Sequence, residues 1–379
     1  TSGCRSTASG YGALWCNTTG KCNTAVGHNA SDAITTGSYN VGIGRDALTA
    51  VTTAANNVGI GSQALESITT GYNNTSVGHL AGRGQTSIAC TFVGAYAGDG
   101  TVTGNSNTAV GTYAMSANQA GHNNTAVGAS ALNLQTSGNN NTAVGYTSLS
   151  SLTTSTRNTA VGGCSGKDVT TASDNTLLGY YSGWKVTTGG ENTAVGSYSF
   201  YNNTTGTDNT AVGRSSLSSN STGQYNIAVG RSALQENTTG NFNIAVGTYA
   251  LDAAMTVDWN VAVGYKALTA NTTGNQNTAI GYAALEDCTT GGSNVAIGME
   301  AARNLTTGIK NIAIGRNTMD GVVTGDNNVA VGHNSLNSVT SGYKIQVLGS
   351  GAGNTFTTGS DATMIGYNTQ PAAADNYNT

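Results

Sequence analysis

Proline occurs once in the 379 residues, and charged residues make up only 8% of the chain. A globular domain is typically about 25% charged, so this surface has to be polar through Thr, Ser, Asn and Gly. A disordered chain is rich in charge and proline and poor in Val, Ile and Leu; this one lacks both charge and proline, and its 37% of hydrophobic residues are spread evenly. The formal net charge is -4, without a run of Lys or Arg, which leaves no electrostatic footprint for nucleic acid or an anionic membrane. No apolar run approaches the roughly 20 residues of a membrane helix, so membrane insertion is not expected. The opening residues, TSGCRSTASGYGAL, lack the pattern of a signal peptide.

What the chain has is glycine, 54 residues of it, and a period. The Gly closing each Val-Gly or Ile-Gly pair recurs at Gly27, Gly44, Gly61 and Gly78, then Gly94, Gly111, Gly128, Gly145 and onward to Gly366. The spacing is 17 residues, except for 16 between Gly78 and Gly94, and Gly10 extends the series toward the N-terminus. Self-similarity at a fixed period marks a repeat architecture. We therefore expect residues 1–366 to form one array of about 22 units, with 367–379, which contain Pro371 and no Thr-Thr-Gly, as a C-terminal tail or linker that leaves the stack.

Each unit reads Asn-Thr-Ala-Val-Gly, then Ala-Leu, then Thr-Thr-Gly, as at Asn277–Gly281, Ala284–Leu285 and Thr289–Gly291. Thr210 and Val212, like Val261 and Val263, share one side of a period-2 segment. The residue between them is small, Ala211 or Ala262, so something is expected to pack closely on that opposite face. A second apolar piece, such as Ala131-Leu132 or Ala267-Leu268, places its Leu at one phase, where it would fill the interior. Both pieces are too short for helices, and frequent glycine would cost a helix about 1 kcal/mol per residue. The expected fold is all-β: a parallel β-solenoid (β-roll) with two short strands per coil, stacked at about 4.8 Å into an elongated rod on the order of 100 Å long. Identical positions then lie above one another. The Asn column (Asn141, Asn158, Asn175, Asn192, Asn209) either bonds along the axis, as in cross-β ladders, or simply supplies a turn residue before each strand. A core this thin invites several chains to associate along the small-residue face.

This unit resembles the tandem repeats of phage-type tail fibre proteins and is similar to the head repeats of trimeric autotransporter adhesins. The likeness runs from about Gly10 to Gly366. It implies a parallel β-roll, a homotrimer or an end-to-end filament as the partner state, and a place outside the cell, on its surface or on a virion. The coiled-coil stalk, membrane anchor and self-cleaving chaperone domain that such fibres often carry have no counterpart in this sequence.

Candidate chemistry is sparse. His28, His79 and His333 share one phase, but His28 and His79 fall three coils apart, about 14 Å, too far for common zinc ligation. Acidic residues are scattered over turns, and catalysis needs unlike groups converging on one cleft; no catalytic residue, metal or cofactor is expected, nor is enzyme activity. The glycine cluster at Gly10-Tyr11-Gly12 precedes no helix and so lacks the basis for binding phosphate. Cys4 and Cys22 lie 18 residues apart, about one coil, and Cys16 and Cys22 flank a turn; either pair would make a stapling disulfide. Cys90, Cys164 and Cys288 sit several coils apart and are expected as buried small residues or interchain contacts. Tyr146, Tyr180, Tyr265 and Tyr282 follow the strand glycine, where they would contact a glycan by stacking on sugar rings or would pack over the rod's edge. The Thr-Thr-Gly columns are an ice-binding candidate through ordered hydroxyls. Asn17, Asn203, Asn220, Asn237, Asn271 and Asn304 open Asn-x-Thr triplets in expected exposed turns, the N-glycosylation pattern.

The expected role is structural: the shaft of an extracellular or virion fibre, adhesin or surface filament, in contact with itself and with a host receptor or glycan. The alternative is a ligand-ladder protein that binds glycan or ice.

Overall fold

The computed structural model describes residues 5–100, 102–253, 256–321 and 324–370. The chain divides into two compact units, Thr1–Gly190 and Glu191–Thr379. Each is a parallel β-solenoid, and the described residues contain no helix. The first unit carries β1 (Thr7–Ser9), β2 (Thr24–Val26), β3 (Val41–Ile43), β4 (Val58–Ile60), β5 (Thr75–Val77), β6 (Thr91–Val93), β7 (Thr108–Val110), β8 (Thr125–Val127), β9 (Thr142–Val144), β10 (Thr159–Val161) and β11 (Thr176–Leu178). The second carries β12 (Thr193–Val195), β13 (Thr210–Val212), β14 (Ile227–Val229), β15 (Ile244–Val246), β16 (Val261–Val263), β17 (Thr278–Ile280), β18 (Val295–Ile297), β19 (Ile312–Ile314), β20 (Val329–Val331), β21 (Gln346–Leu348) and β22 (Thr363–Ile365). Within each unit successive strands pair in parallel and in register, so Val127 lies beside Val144 and Ala211 beside Ala228. Eleven rungs at about 4.8 Å rise about 50 Å per unit.

Thr, Val and Ile favour the extended strand, and glycine ends it. A Cβ on Gly111, whose φ is +132°, would stand 2.6 Å from the backbone of Gly128 on the next coil, so no side chain fits there. Positions are counted below from this glycine.

Two expectations are corrected. Each coil has one strand, not two: the Ala-Leu piece is a turn, with Leu48, Leu132 and Leu268 in the left-handed region at φ 57°, 49° and 55°. That conformation costs an L-residue about 1–2 kcal/mol, and burial of the Leu side chain offsets it. The strand also faces the other way. The small middle residue is buried (Ala25, Ala109, Ala126, Ala211), while the Thr and Val on either side look outward. The small-residue face is therefore the interior and is not open to a second chain. Leu at position +4 occupies the space opposite the strand, so only Ala or Gly fits inward at position -2.

Exceptions obey the same volume rule. Phe92 stands at the inward strand position and is fully buried, and the +4 residues of the two coils around it are Gly82 and Gly98. A Cβ on Gly98 would lie 2.7 Å from the Phe92 ring. Leu177 takes the same inward place, and Gly166 and Gly183 make room for it, again at 2.7 Å from an added Cβ. Such pairing keeps the core at native density.

The buried Asn before each strand bonds along the axis. Asn141 Nδ2 donates to Asn124 Oδ1 at 3.2 Å and to the Ser155 carbonyl at 2.9 Å, and the Asn141 backbone N–H donates to the same Asn124 oxygen at 2.9 Å. Asn209 through Asn328 repeat the pattern in the second unit. In the 16-residue coil Cys90 replaces the Asn: its Sγ accepts from Asn107 N–H at 3.4 Å, and Gln85 Nε2 reaches Asn74 Oδ1 at 2.8 Å.

At the C-terminal end Tyr367–Gln370 still belong to the coil. Gly353 N–H donates to the Thr369 carbonyl at 2.8 Å, and Gln370 Nε2 donates to Asn354 Oδ1 at 2.7 Å. Residues 367–370 of the expected tail thus pack on the preceding coil, and 371–379 lie outside the described residues.

Candidate interaction surfaces

The outward strand face is the most regular surface of either unit. Its position -1 is Val, Ile or Leu in every strand from β2 to β22, position -3 is Thr, Val, Ile or Gln, and neither column carries a charge. Val127 is 36% exposed and Ile227 40%. Among β20, β21 and β22 the two columns border a groove of about 300 Å³ lined by Val329, Val331, Gln346, Leu348, Thr363 and Ile365, among others. The flanking columns differ in kind. Position +12 holds Arg157 and Asp174, an ion pair at 2.6 Å, and Lys344 and Asp361, a pair at 3.9 Å. Position +1 holds Arg45, Arg214, Arg231 and Arg316 together with tyrosines.

The four glycan-contact tyrosines are all exposed, but they do not form one ladder. Tyr265 and Tyr282 stack on each other, with centroids 5.5 Å apart and planes at 15°. Tyr180 meets Tyr181 edge-on at 4.2 Å. Gly163 separates Tyr180 from Tyr146 in the column; Tyr146 is 64% exposed and makes no ring contact among the described residues. Sugar stacking needs an open ring face, and rings stacked along the axis cover their faces with one another and leave edges to solvent. This geometry supports mutual packing at Tyr265 and Tyr282. Sequence reading missed a second aromatic column at position +12, where Tyr225, Phe242 and Trp259 stack at 5.0 Å and 6.3 Å with planes within 11°. Its signal was three aromatics spaced by 17 residues just before the ladder Asn.

Of the candidate glycosylation asparagines, Asn203, Asn220, Asn237 and Asn271 are fully buried, contrary to the expected exposed turns. They form a second internal amide column: Asn220 Nδ2 donates to Asn203 Oδ1 at 2.9 Å, and Asn237 Nδ2 to Asn220 Oδ1 at 2.8 Å. Asn271 closes its own turn, donating to the Gly274 carbonyl at 2.7 Å. A glycan at any of these four would break the coil. Asn17 and Asn304 are partly exposed; Asn17 Nδ2 donates to the Gly20 carbonyl at 3.2 Å and Asn304 Nδ2 to Asp320 Oδ1 at 3.3 Å.

In the Thr-Thr-Gly columns the first hydroxyl is engaged. Thr153 Oγ1 donates to the Thr170 carbonyl at 3.1 Å, and Thr272 Oγ1 to the Thr289 carbonyl at the same distance. The second Thr, as at Thr239 and Thr273, is exposed, so a single hydroxyl column faces water. Cys16 and Cys22 are free thiols, and Cys4 lies outside the described residues. Cys90 and Cys288 are buried, and burial raises the Cys288 thiol to about 11. Glu286 joins two coils through Lys266 at 3.1 Å and Arg303 at 3.0 Å. His28 stacks on Tyr11 at 5.3 Å, and His79 meets Tyr96 edge-on.

No family model matches the chain. A search of curated proteins likewise returns no match. No helix among the described residues is long and apolar enough to cross a membrane.

Proposed function

We propose that this chain is a structural subunit, the shaft of an extracellular or virion fibre, adhesin or surface filament, that associates with copies of itself as a homotrimer or an end-to-end filament. The observation carrying this reading is the in-register repetition of one sparsely charged coil through the strands of both units. Such repetition provides length and stiffness and presents the same chemistry at every level, which suits a mechanical role. A reaction site needs unlike groups brought together, and repetition works against that. The low charge and hydroxyl-rich surface suit a spacer that avoids adventitious ionic binding. Contact with a host receptor or surface glycan is part of the proposal, with Tyr146 as its best-placed ring.

Electron microscopy of the purified chain, with immunogold labelling of the particles or cells that produce it, tests the reading. Elongated particles and label on external filaments are expected. Compact particles, or label confined to the cell interior, overturn it. Thermal hysteresis or saturable glycan binding by a chain that forms no filament would favour the ligand-ladder alternative.

A further inference from the structure

We infer that the outward strand face, not the small-residue face, is the surface through which two copies of this chain pack side by side. This inference rests on the fibre-subunit reading in its end-to-end filament form, to which it adds a lateral contact between two chains.

The argument starts from what is left uncovered. A single chain buries its Ala, Leu and Asn columns but leaves a Val, Ile and Leu column on the outside of each unit, from β2 to β11 and from β12 to β22. Monomers rarely expose a contiguous apolar patch of more than a few hundred Å² without a use for it. One unit's face is about 50 Å long and about 10 Å wide, roughly 500 Å². Pairing it with the same face of a second copy buries about 1,000 Å² in total, the threshold for a specific interface. The face also has the anatomy of an interface, with a charge-free apolar centre and borders of Arg, Tyr and acidic residues.

The face suits a second copy of itself, because neither of its two columns carries a charge that like-on-like pairing would oppose. In the second unit the +12 border of the coil entering β13 carries Asp208, and the +1 border leaving it carries Arg214. When two faces meet in parallel at the same level, the +12 border of one copy lies across from the +1 border of the other, which sets Asp208 opposite Arg214 at β13, Tyr225 opposite Arg231 at β14 and Lys310 opposite Arg316 at β19. The patch is widest at β14, β15 and β16, where Tyr225, Phe242 and Trp259 extend the aliphatic columns outward. Aromatic residues there would act as anchors, since Tyr and Trp dominate interface energetics.

Light scattering after size-exclusion chromatography on the full chain tests this. Wild type should have the mass of two or more chains. Val127→Lys and Ile227→Lys, both at positions exposed in the single chain, should weaken association at least tenfold with an unchanged circular-dichroism spectrum. Thr239→Lys, on an exposed turn column away from the face, should leave the mass as it was. A wild type that stays monomeric, lysine variants that keep the wild-type mass, or dissociation caused by Thr239→Lys alone would overturn the inference. Micrographs of the same samples separate it from the fibre reading. Filaments that survive Val127→Lys with undiminished lateral mass overturn the face and spare the fibre. Dissociation by the lysine variants of a wild type that never forms elongated particles supports the face and overturns the fibre.

Discussion

Asn124 Nδ2 stands 3.2 Å from Asn107 Oδ1 on the preceding coil and 2.8 Å from the Gly138 carbonyl oxygen on the following one. One buried amide thus ties three levels of the stack together. Its neighbours in the column do the same, so the interior is held by a hydrogen-bonded line as well as by apolar contact.

Removing one link should be costly. In Asn141→Ala the Ser155 carbonyl and the backbone N–H of Asn158 lose their partner, while Asn158 Nδ2 keeps the Ala172 carbonyl at 2.9 Å. Each buried group left unsatisfied costs about 1–3 kcal/mol, so a loss of about 3 kcal/mol is expected in urea denaturation. Thr239→Ala on the exposed column should change stability by less than about 0.5 kcal/mol. Equal effects from the two substitutions would show that the amide line carries no stability.

The exchange of volume between Phe92 and Gly98 is testable as a cycle. Phe92→Ala should cost about 3–5 kcal/mol through the cavity it leaves. Gly98→Leu alone should also destabilise, because the ring occupies that space. In the double variant the ordinary pairing of an inward Ala with a +4 Leu is restored, and a favourable coupling of about 1–3 kcal/mol is expected. Additive losses would refute the compensation.

Thiol chemistry should follow burial. Cys16 is exposed and should react with a thiol reagent in the native protein, whereas Cys90 and Cys288 should react only after unfolding. For Cys288 the folded value of about 11 exceeds the ordinary 9.0 because burial disfavours the thiolate. The unfolded chain therefore releases its proton first, and stability falls as pH rises from about 9 to about 11, by on the order of 3 kcal/mol. Cys288→Ala should flatten that part of the pH profile; a slope that remains in this variant would place its origin elsewhere.

The aromatic column at position +12 should contribute modestly to the fold. Phe242→Asn keeps a residue suited to φ 58° but removes both stacking contacts of the ring. A loss of about 1 kcal/mol is expected, near the range for aromatic pairs, together with a change in the fluorescence of Trp259. No shift in either measurement would mean the rings merely lie near one another.

Much of the fold was legible in the sequence. The 17-residue period, the strand at Thr-Ala-Val and the inward Leu all follow from repeated residue types, and the structure bears them out; of the two readings open for the Asn column, it shows bonding along the axis. What misled was the period-2 segment. Alternation states that Thr210 and Val212 share a side, but not which side is inside. In most half-buried strands the larger apolar residues point inward, whereas here Leu at +4 leaves room only for Ala211. The buried amides at Asn203, Asn220 and Asn237 were likewise hidden, since Asn-Thr-Thr before glycine reads as an exposed turn until the neighbouring coils lend it partners.

From the sequence alone come the period and the stacking of like on like, because a unit this short can complete its backbone bonding only against its own copies. The folded chain alone decides which strand face is core and which is surface. That choice turns on the width of the coil's interior, a distance between residues six apart in the chain, as Ala126 and Leu132 are, and on turn residues forced into left-handed backbone, neither of which is written in the identity of any single residue.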